Sequence, residues 1–135
     1  MAAPLFNEAE RNFNAQVAGE LRAAGFRVWL AQEAPFIQNG SADEKKAIFD
    51  GDTEALRNSD IVLALLDGID VDPGVAFELG YAHALGKPIF GLKTDYRTFS
   101  RIEEINLMLE VPIRSIFRSI KDAIEGLKRT EATHA

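Results

Sequence analysis

Hydrophobic positions along the chain follow two spacings, one typical of amphipathic helices and one typical of buried strands. Phe13, Val17 and Leu21 recur at helical spacing before Gly25 ends the stretch, which predicts an amphipathic helix. Residues 61–66 are apolar throughout, as expected of a central strand in a parallel sheet. The same reasoning predicts helices over 7–24, 42–58 (with a kink or restart at Gly51), 73–85 and 101–109, strands over 26–30, 60–66 and 88–92, and a terminal amphipathic helix in the segment that begins at Pro112.

Strands that alternate with helices indicate a parallel sheet covered by helices on both faces. The 135 residues suit one domain. The expected fold is therefore α/β, a single-domain doubly wound (flavodoxin/Rossmann-like) parallel sheet over residues 1–129, with a polar tail over 130–135. Ligands bind such sheets beyond the carboxyl ends of the strands, which points to residues 67–77. Residues 1–6 look like the end of a strand and its following loop, so we expect either an unusually short first strand or native residues before Met1.

Composition and charge argue against several classes of function. The net charge of −6 disfavours binding of a nucleic acid polymer, which requires a basic face. Without cysteine there is no disulfide, thiolate zinc site or cysteine nucleophile, and the two histidines, His83 and His134, supply a metal site poorly. No apolar run approaches the roughly 20 residues of a membrane span, and residues 1–6 lack the pattern of a signal peptide. We therefore expect a cytoplasmic protein with no membrane partner.

Glu78 lies inside a predicted helix that is otherwise made of small and apolar residues. Its helical neighbours are Gly74, Val75, Tyr81 and Ala82, and none of them is a cation. A carboxylate in such surroundings is either desolvated or paired with a group from another element. A solvent-facing glutamate on a half-buried helix is the plainer alternative, and the residues alone leave both open.

The segment that leads into this helix is rich in aspartate and glycine. Asp72 precedes a proline, so it fits a helix N-cap with proline at the first helical position, and that role alone explains it. Asp67 and Asp70 fit a polar loop, and Gly68 and Gly74 allow tight turns and close approach of a ligand. The acidic cluster suits magnesium in its chemistry, but its spacing is not that of a calcium loop, so no metal is expected.

Four segments in the same order resemble the motifs of the nucleoside 2-deoxyribosyltransferase family. The most specific is DVDPGVAFELGYA over residues 70–82. The others are APLFNEAE over 3–10, IFDGD over 48–52 with NSDIV over 58–62, and NLM over 106–108. The resemblance covers nearly the whole chain and implies a nucleoside 2-deoxyribosyltransferase-like domain over residues 1–129.

The resemblance implies a transfer of 2-deoxyribose between purine or pyrimidine bases with retention at the anomeric carbon. Retention requires two inversions, so a carboxylate must attack the sugar and hold it covalently. Glu78 matches this nucleophile. Asp52 matches the family aspartate near the base, which makes it the candidate for proton delivery to the leaving base, directly or through water. The resemblance assigns substrate binding to four residues, with Asp72 at the sugar, Phe6 stacked beside the base, Gly74 in the same turn as Asp72, and Asn106 reaching the 5′-hydroxyl from a neighbouring subunit.

The same resemblance implies nucleosides and nucleobases as substrates, no cofactor, and a homodimer or larger homo-oligomer with shared active sites. Two departures bear on activity. Pro73 and Val75 stand where the family has a small polar residue and a threonine, which removes hydroxyl groups near the sugar. The tyrosine that steadies the nucleophile in the family would lie before Met1.

Three functions follow from these residues. The first is transfer between bases, and the second is N-glycoside hydrolysis of a 2′-deoxynucleoside or its 5′-monophosphate, in which water intercepts the sugar held by Glu78. Relatives that act on the monophosphate typically have serine where this chain has Asp72, and a carboxylate there would repel a phosphate, so nucleosides are favoured. The third is a catalytically silent nucleoside-sensing module, suggested by the short first strand and the variant residues around Gly74.

Overall fold

The computed structural model describes residues 1–35 and 37–134, and the side chains of 131–134 are left aside. Its helices and strands follow one another in this order: α1 Glu8–Ala23, a 3-10 turn Ala31–Glu33, α2 Ala42–Asn58, β1 Val62–Leu65, α3 Pro73–Ala84, β2 Ile89–Leu92, α4 Leu107–Glu110, β3 Ile116–Phe117 and α5 Ile120–His134. The three strands form a parallel sheet in the order β1-β2-β3. On the other side of β1, Ala2 adds a single parallel bridge to Ala64.

Apolar side chains fill both faces of this sheet, because successive strand residues point to opposite sides. On one face Ala64 and Leu66 pack with Val75 and Leu79 of α3 and with Leu56 of α2. On the other face lie the following side chains of β1, β2, α1 and α5: Leu63, Leu65, Phe90, Leu92, Val17, Leu21 and Leu127. The structure thus confirms the predicted α/β fold, a parallel sheet with helices on both faces.

Each main helix begins where a polar side chain accepts a hydrogen bond from a free backbone N–H group. Asn7 and Glu10 form a reciprocal capping box at the start of α1, and the Ser41 side chain caps α2. Asp72 caps α3, with proline at the first helical position. The helix α2 continues through Gly51, so the restart considered for that residue does not occur.

Residues 26–30 form no assigned strand, contrary to the prediction. The neighbouring backbone is Met1 and Ala2, and the amino group of Met1 donates to the Trp29 carbonyl at 2.9 Å. With only the isolated bridge at Ala2 alongside it, this segment lacks the ladder of hydrogen bonds that defines a strand.

The predicted helix over 101–109 was too long, since only α4 forms. Before it, the Ser100 hydroxyl accepts from the amides of Ile102 and Glu103, and such local bonds compete with helix formation. The segment after Pro112 begins with β3, which the apolar spacing had assigned to a helix. The terminal helix α5 continues through His134, so residues 130–134 of the range assigned to a polar tail are helical, and residue 135 lies outside the described residues. Among the described residues, no helix is both long and apolar enough to cross a membrane.

Candidate active site

The acidic loop between β1 and α3 lies at the carboxyl end of β1 and leads into the first turn of α3. The loop over residues 67–72 leaves β1, and its last residue, Asp72, accepts a hydrogen bond from the Val75 amide at 3.0 Å. Val75 and Leu79 are buried in the core, which fixes the rotation of the helix about its axis. Glu78, next to Leu79, is therefore held half-buried at the edge of the core.

The environment of Glu78 favours the protonated form of its carboxyl group. Burial is the largest cause that raises the pKa of Glu78 to about 7; the negative charges of Asp52 and Asp72 add to it, and the amino group of Met1 opposes it. Among residues 1–35 and 37–130, Glu78 has no ion-pair partner within 4.0 Å. The desolvated carboxylate is the alternative that fits this arrangement.

Asp52 approaches Glu78 from a different helix. It lies half-buried on α2, and burial raises its pKa, while hydrogen bonding to the Trp29 side chain opposes the rise. Two acidic groups with raised pKa values that interact electrostatically can share a proton near neutral pH. Such a pair can supply one ionised carboxylate and one acid at the same time.

Trp29 is a neighbour of this site that the sequence analysis did not identify. It lies on the segment after α1, and its side chain is near enough to Asp52 to oppose the rise in the pKa of that carboxyl group. The only signal in the sequence was that Trp29 is the single tryptophan of the chain, and this says nothing about which helix it faces.

The structure connects three of the predicted residues electrostatically and shows no such connection for Phe6 and Asn106 within the described chain. Glu78, Asp52 and Asp72 interact electrostatically. Phe6 lies in the loop before α1 and is 74% exposed. Asn106 is the N-cap of α4, where its side chain accepts from the Met108 amide at 2.9 Å. In the described part of this single chain, neither Phe6 nor Asn106 has a hydrogen bond or ring contact with the three carboxylates.

Gly74 leaves space beside the Asp72 carboxylate. A Cβ atom at position 74 would lie 3.0 Å from Asp72 Oδ2, closer than carbon and oxygen atoms normally approach. Glycine therefore allows Asp72 to keep the orientation in which it caps α3. This is a contact within the protein, and binding of a substrate by Gly74 stays a prediction.

A cavity of about 730 Å³ lies mainly at the other end of the sheet. Its walls include Leu21, Ile61 and Leu127, and it reaches Trp29 and Gly51 next to Asp52, whereas Glu78 and Asp72 do not line it. The carboxylates are thus outside this cavity. Among the described residues, no group of three or more histidine, cysteine, aspartate or glutamate side chains is arranged to hold a metal ion.

Comparison with known proteins identifies the family. The sequence profile described as nucleoside 2-deoxyribosyltransferase matches residues 1–123. The chain belongs to this family. The nucleoside 2-deoxyribosyltransferase family was the one expected from the four motifs, and this expectation is confirmed. No curated protein matches the chain.

Solved structures agree with the family. A conserved protein from Enterococcus faecalis V583 is 31% identical, with a TM-score of 0.82 over 96% of this chain and 95% of that one. The 2-deoxyribosyltransferase from Bacillus psychrosaccharolyticus is 28% identical, with a TM-score of 0.78 over 91% of this chain and 87% of that one. A CMP N-glycosidase from Clostridium botulinum shares the fold at 23% identity, with a TM-score of 0.58 over 91% and 92% of the two chains. The chain thus lies among nucleoside-handling enzymes.

Proposed function

We propose that this family member is a pentosyltransferase that moves 2-deoxyribose from one purine or pyrimidine base to another through a covalent bond between the sugar and Glu78. The observation that carries the proposal is the half-buried Glu78 carboxyl, whose pKa is raised by burial and by Asp52 and Asp72. A carboxylate with little solvation is a competent nucleophile, and its charge stabilises the cationic sugar of the transition state.

The first step breaks the bond between the anomeric carbon and the base nitrogen. An oxygen of ionised Glu78 bonds to the anomeric carbon, and Asp52 gives its proton to the departing base. Burial raises the pKa of Asp52, and the step requires the state of the pair in which the shared proton lies on Asp52 and Glu78 is ionised. The products are a sugar ester of Glu78, a neutral free base and an ionised Asp52.

The second step reverses the first with a different base. A nitrogen of the acceptor bonds to the anomeric carbon, the ester bond to Glu78 breaks, and the proton of the acceptor returns to Asp52. Each step inverts the anomeric carbon, so the two together retain its configuration. The enzyme ends with the protonation states with which it began.

Substrate binding is assigned to residues around this pair. Asp72 lies at the N-terminus of α3. Its Oδ2 accepts the capping bond, and its other carboxylate oxygen binds a sugar hydroxyl. Gly74, which has no side chain, leaves room for the sugar. The exposed ring of Phe6 stacks on the base. The charge of Asp72 disfavours a 5′-phosphate nearby, so nucleosides are preferred over nucleotides.

Asn106 completes the site from a second copy of the chain. The stretch of chain over residues 96–111, in which Asn106 lies, carries several exposed apolar side chains, with Tyr96 fully exposed, Ile102 87% exposed, Val111 80% exposed and Met108 74% exposed. Large apolar side chains exposed to water are enriched at interfaces between proteins. We assign this surface to a homodimer or larger homo-oligomer in which Asn106 reaches the 5′-hydroxyl of the partner's substrate.

The decisive assay incubates the protein with deoxyinosine and free adenine. Formation of deoxyadenosine is expected. Release of deoxyribose without deoxyadenosine would identify an N-glycoside hydrolase, and binding of nucleosides without either product would identify a sensing module.

A trapped adduct tests the role of Glu78 itself. Mass spectrometry of peptides from the enzyme quenched during turnover should locate one deoxyribosyl group on Glu78. Glu78→Gln should abolish turnover and the adduct, whereas Glu20→Gln, at an exposed glutamate of α1, should change neither. Full turnover by Glu78→Gln would refute the proposed nucleophile.

A further inference from the structure

Lys93, the residue after β2, has a completely buried side chain, at 0% exposure. Its Nζ lies 2.5 Å from Oδ1 of Asp95 and 3.3 Å from the carbonyl oxygen of Gly68. A buried ammonium group is costly even when it is paired, and an apolar residue of similar volume often replaces such a pair without loss of stability. The pair therefore calls for an explanation other than stability.

Asp95 also contacts Gly68, through its second carboxylate oxygen. Its Oδ2 accepts from the Gly68 amide at 2.8 Å and from Arg97 Nε at 2.7 Å. Both backbone groups of Gly68, its N–H and its C=O, are thus bound by the Lys93–Asp95 pair. Burial alone would raise the pKa of Asp95, but the bonds from Lys93, Gly68 and Arg97 outweigh it and lower the value to about 2.

A second set of hydrogen bonds joins the loop after β2 to the loop after β1, and here the loop after β2 donates. The carboxylate of Asp67 accepts from the Thr94 amide at 2.6 Å, the Asp95 amide at 3.0 Å and the Thr94 hydroxyl at 2.7 Å. Gly68 itself has a φ of +121°, a conformation that L side chains rarely adopt. These bonds and the φ of Gly68 therefore fix the backbone conformation at the start of the loop over residues 67–72.

The end of that loop is Asp72, which caps α3. Between Gly68 and Asp72 the chain turns through exposed Ile69 and buried Val71, and only Val71 anchors this stretch to the core. A displacement at Gly68 would therefore reach Asp72 within four residues. Lys93 is too deeply buried to touch a substrate, so any effect it has on the site must pass through this loop.

We propose that Lys93 and Asp95 are positioning residues, which hold Gly68 so that the loop delivers Asp72 to the helix cap and to the sugar. The inference has a structural half, the effect on the helix cap, and a functional half, the effect on the sugar. Only the functional half rests on the proposed function. The double variant Lys93→Met/Asp95→Leu replaces the ion pair by apolar side chains of similar volume and should remain folded. If it does not fold, Asp95→Asn keeps the shape of the side chain and serves in its place.

The structural half is tested by amide hydrogen exchange. In the double variant the Val75 amide, which donates to Asp72, should exchange at least tenfold faster, whereas the Leu66 amide, bonded to the Leu92 carbonyl at 2.9 Å, should be unchanged. Leu127→Ala, on the opposite face of the sheet, should leave Val75 unaffected. Unchanged exchange at Val75 in the double variant overturns the inference.

The functional half is tested by a mutant cycle with Asp72→Asn. The double variant should lower kcat/KM for deoxynucleosides at least tenfold in the wild-type background and less than twofold in the Asp72→Asn background, since it acts through Asp72. Equal losses in both backgrounds would show a general structural role and overturn the inference. A wild-type enzyme without turnover would refute the proposed function instead, and the exchange at Val75 would then decide the role of Lys93 and Asp95.

Discussion

Replacing Glu78 by glutamine should make the folded protein more stable at pH 8 than the wild type. Burial, together with the charges of Asp52 and Asp72, raises the pKa of Glu78 from its usual 4.5 to about 7. Above pH 7 the native wild-type protein therefore contains an ionised carboxylate in surroundings that favour the neutral form. Glutamine has nearly the same shape and no charge at any pH, so it avoids this cost.

The sign of the pH dependence follows from proton binding. The native state holds the Glu78 proton more tightly than the unfolded state does, so the stability of the wild type decreases as the pH rises from about 4.5 to about 7. At 1.36 kcal/mol per pKa unit, the full effect is about 3 kcal/mol. Because Glu78 keeps some contact with water, we expect the advantage of Glu78→Gln to grow by about 2 kcal/mol between pH 5 and pH 8.

Urea denaturation at pH 5, 6, 7 and 8 measures this difference directly. A constant offset between Glu78→Gln and wild type reports hydrogen bonds gained or lost by the amide, and only the change of the difference with pH reports the carboxyl group. Glu20→Gln, at an exposed site on α1, is the matched control and should follow the wild type at every pH. Parallel curves for Glu78→Gln and wild type, or a difference that shrinks as the pH rises, would refute the reasoning.

Three further predictions concern the cap, the carboxylate pair and the sheet. Asp72→Ala should lower the free energy of unfolding by about 1 kcal/mol, whereas Asp72→Asn should keep the cap and lose mainly activity, and an equal loss of stability would contradict this. In Asp52→Asn the burial of Glu78 remains but a nearby negative charge is gone, so its pKa, measured by carboxyl NMR titration, should fall while staying above 4.5. Gly91→Ala should destabilise by about 1–3 kcal/mol, because its Cβ would overlap a buried leucine side chain. Gly19→Ala, in open space on α1, should stabilise by about 0.5–1 kcal/mol in the same urea assay.

The sequence was informative where local rules decide the structure. The aspartate before proline predicted the cap of α3, and the apolar run at 61–66 predicted β1, since a buried parallel strand needs no alternation. The lack of a cation near Glu78 in the helix left a desolvated carboxylate as one of two alternatives, and the structure has that one.

The sequence was uninformative where contacts between distant segments decide. The strand β3 has only two residues, and its Ile116 and Phe117 also fit the spacing of a helix, so only the pairing with Gly91 and Leu92 defines it as a strand. The approach of Asp52 and Trp29 joins α2 to the segment after α1, and no spacing rule connects them. The hydrogen bonds that Lys93 and Asp95 make with Gly68 likewise come from a loop that follows a different strand.

The cap at position 72 also restricts how this protein can change by mutation. Helix N-caps accept aspartate, asparagine, serine and threonine with little loss of stability, and these side chains differ in charge. A lineage could therefore remove the negative charge at the proposed sugar site in a single replacement without losing the start of α3. The serine that the family resemblance associates with 5′-monophosphate substrates belongs to the same set. A change from the proposed nucleoside substrate to a nucleotide therefore need not pass through an unstable intermediate at this position.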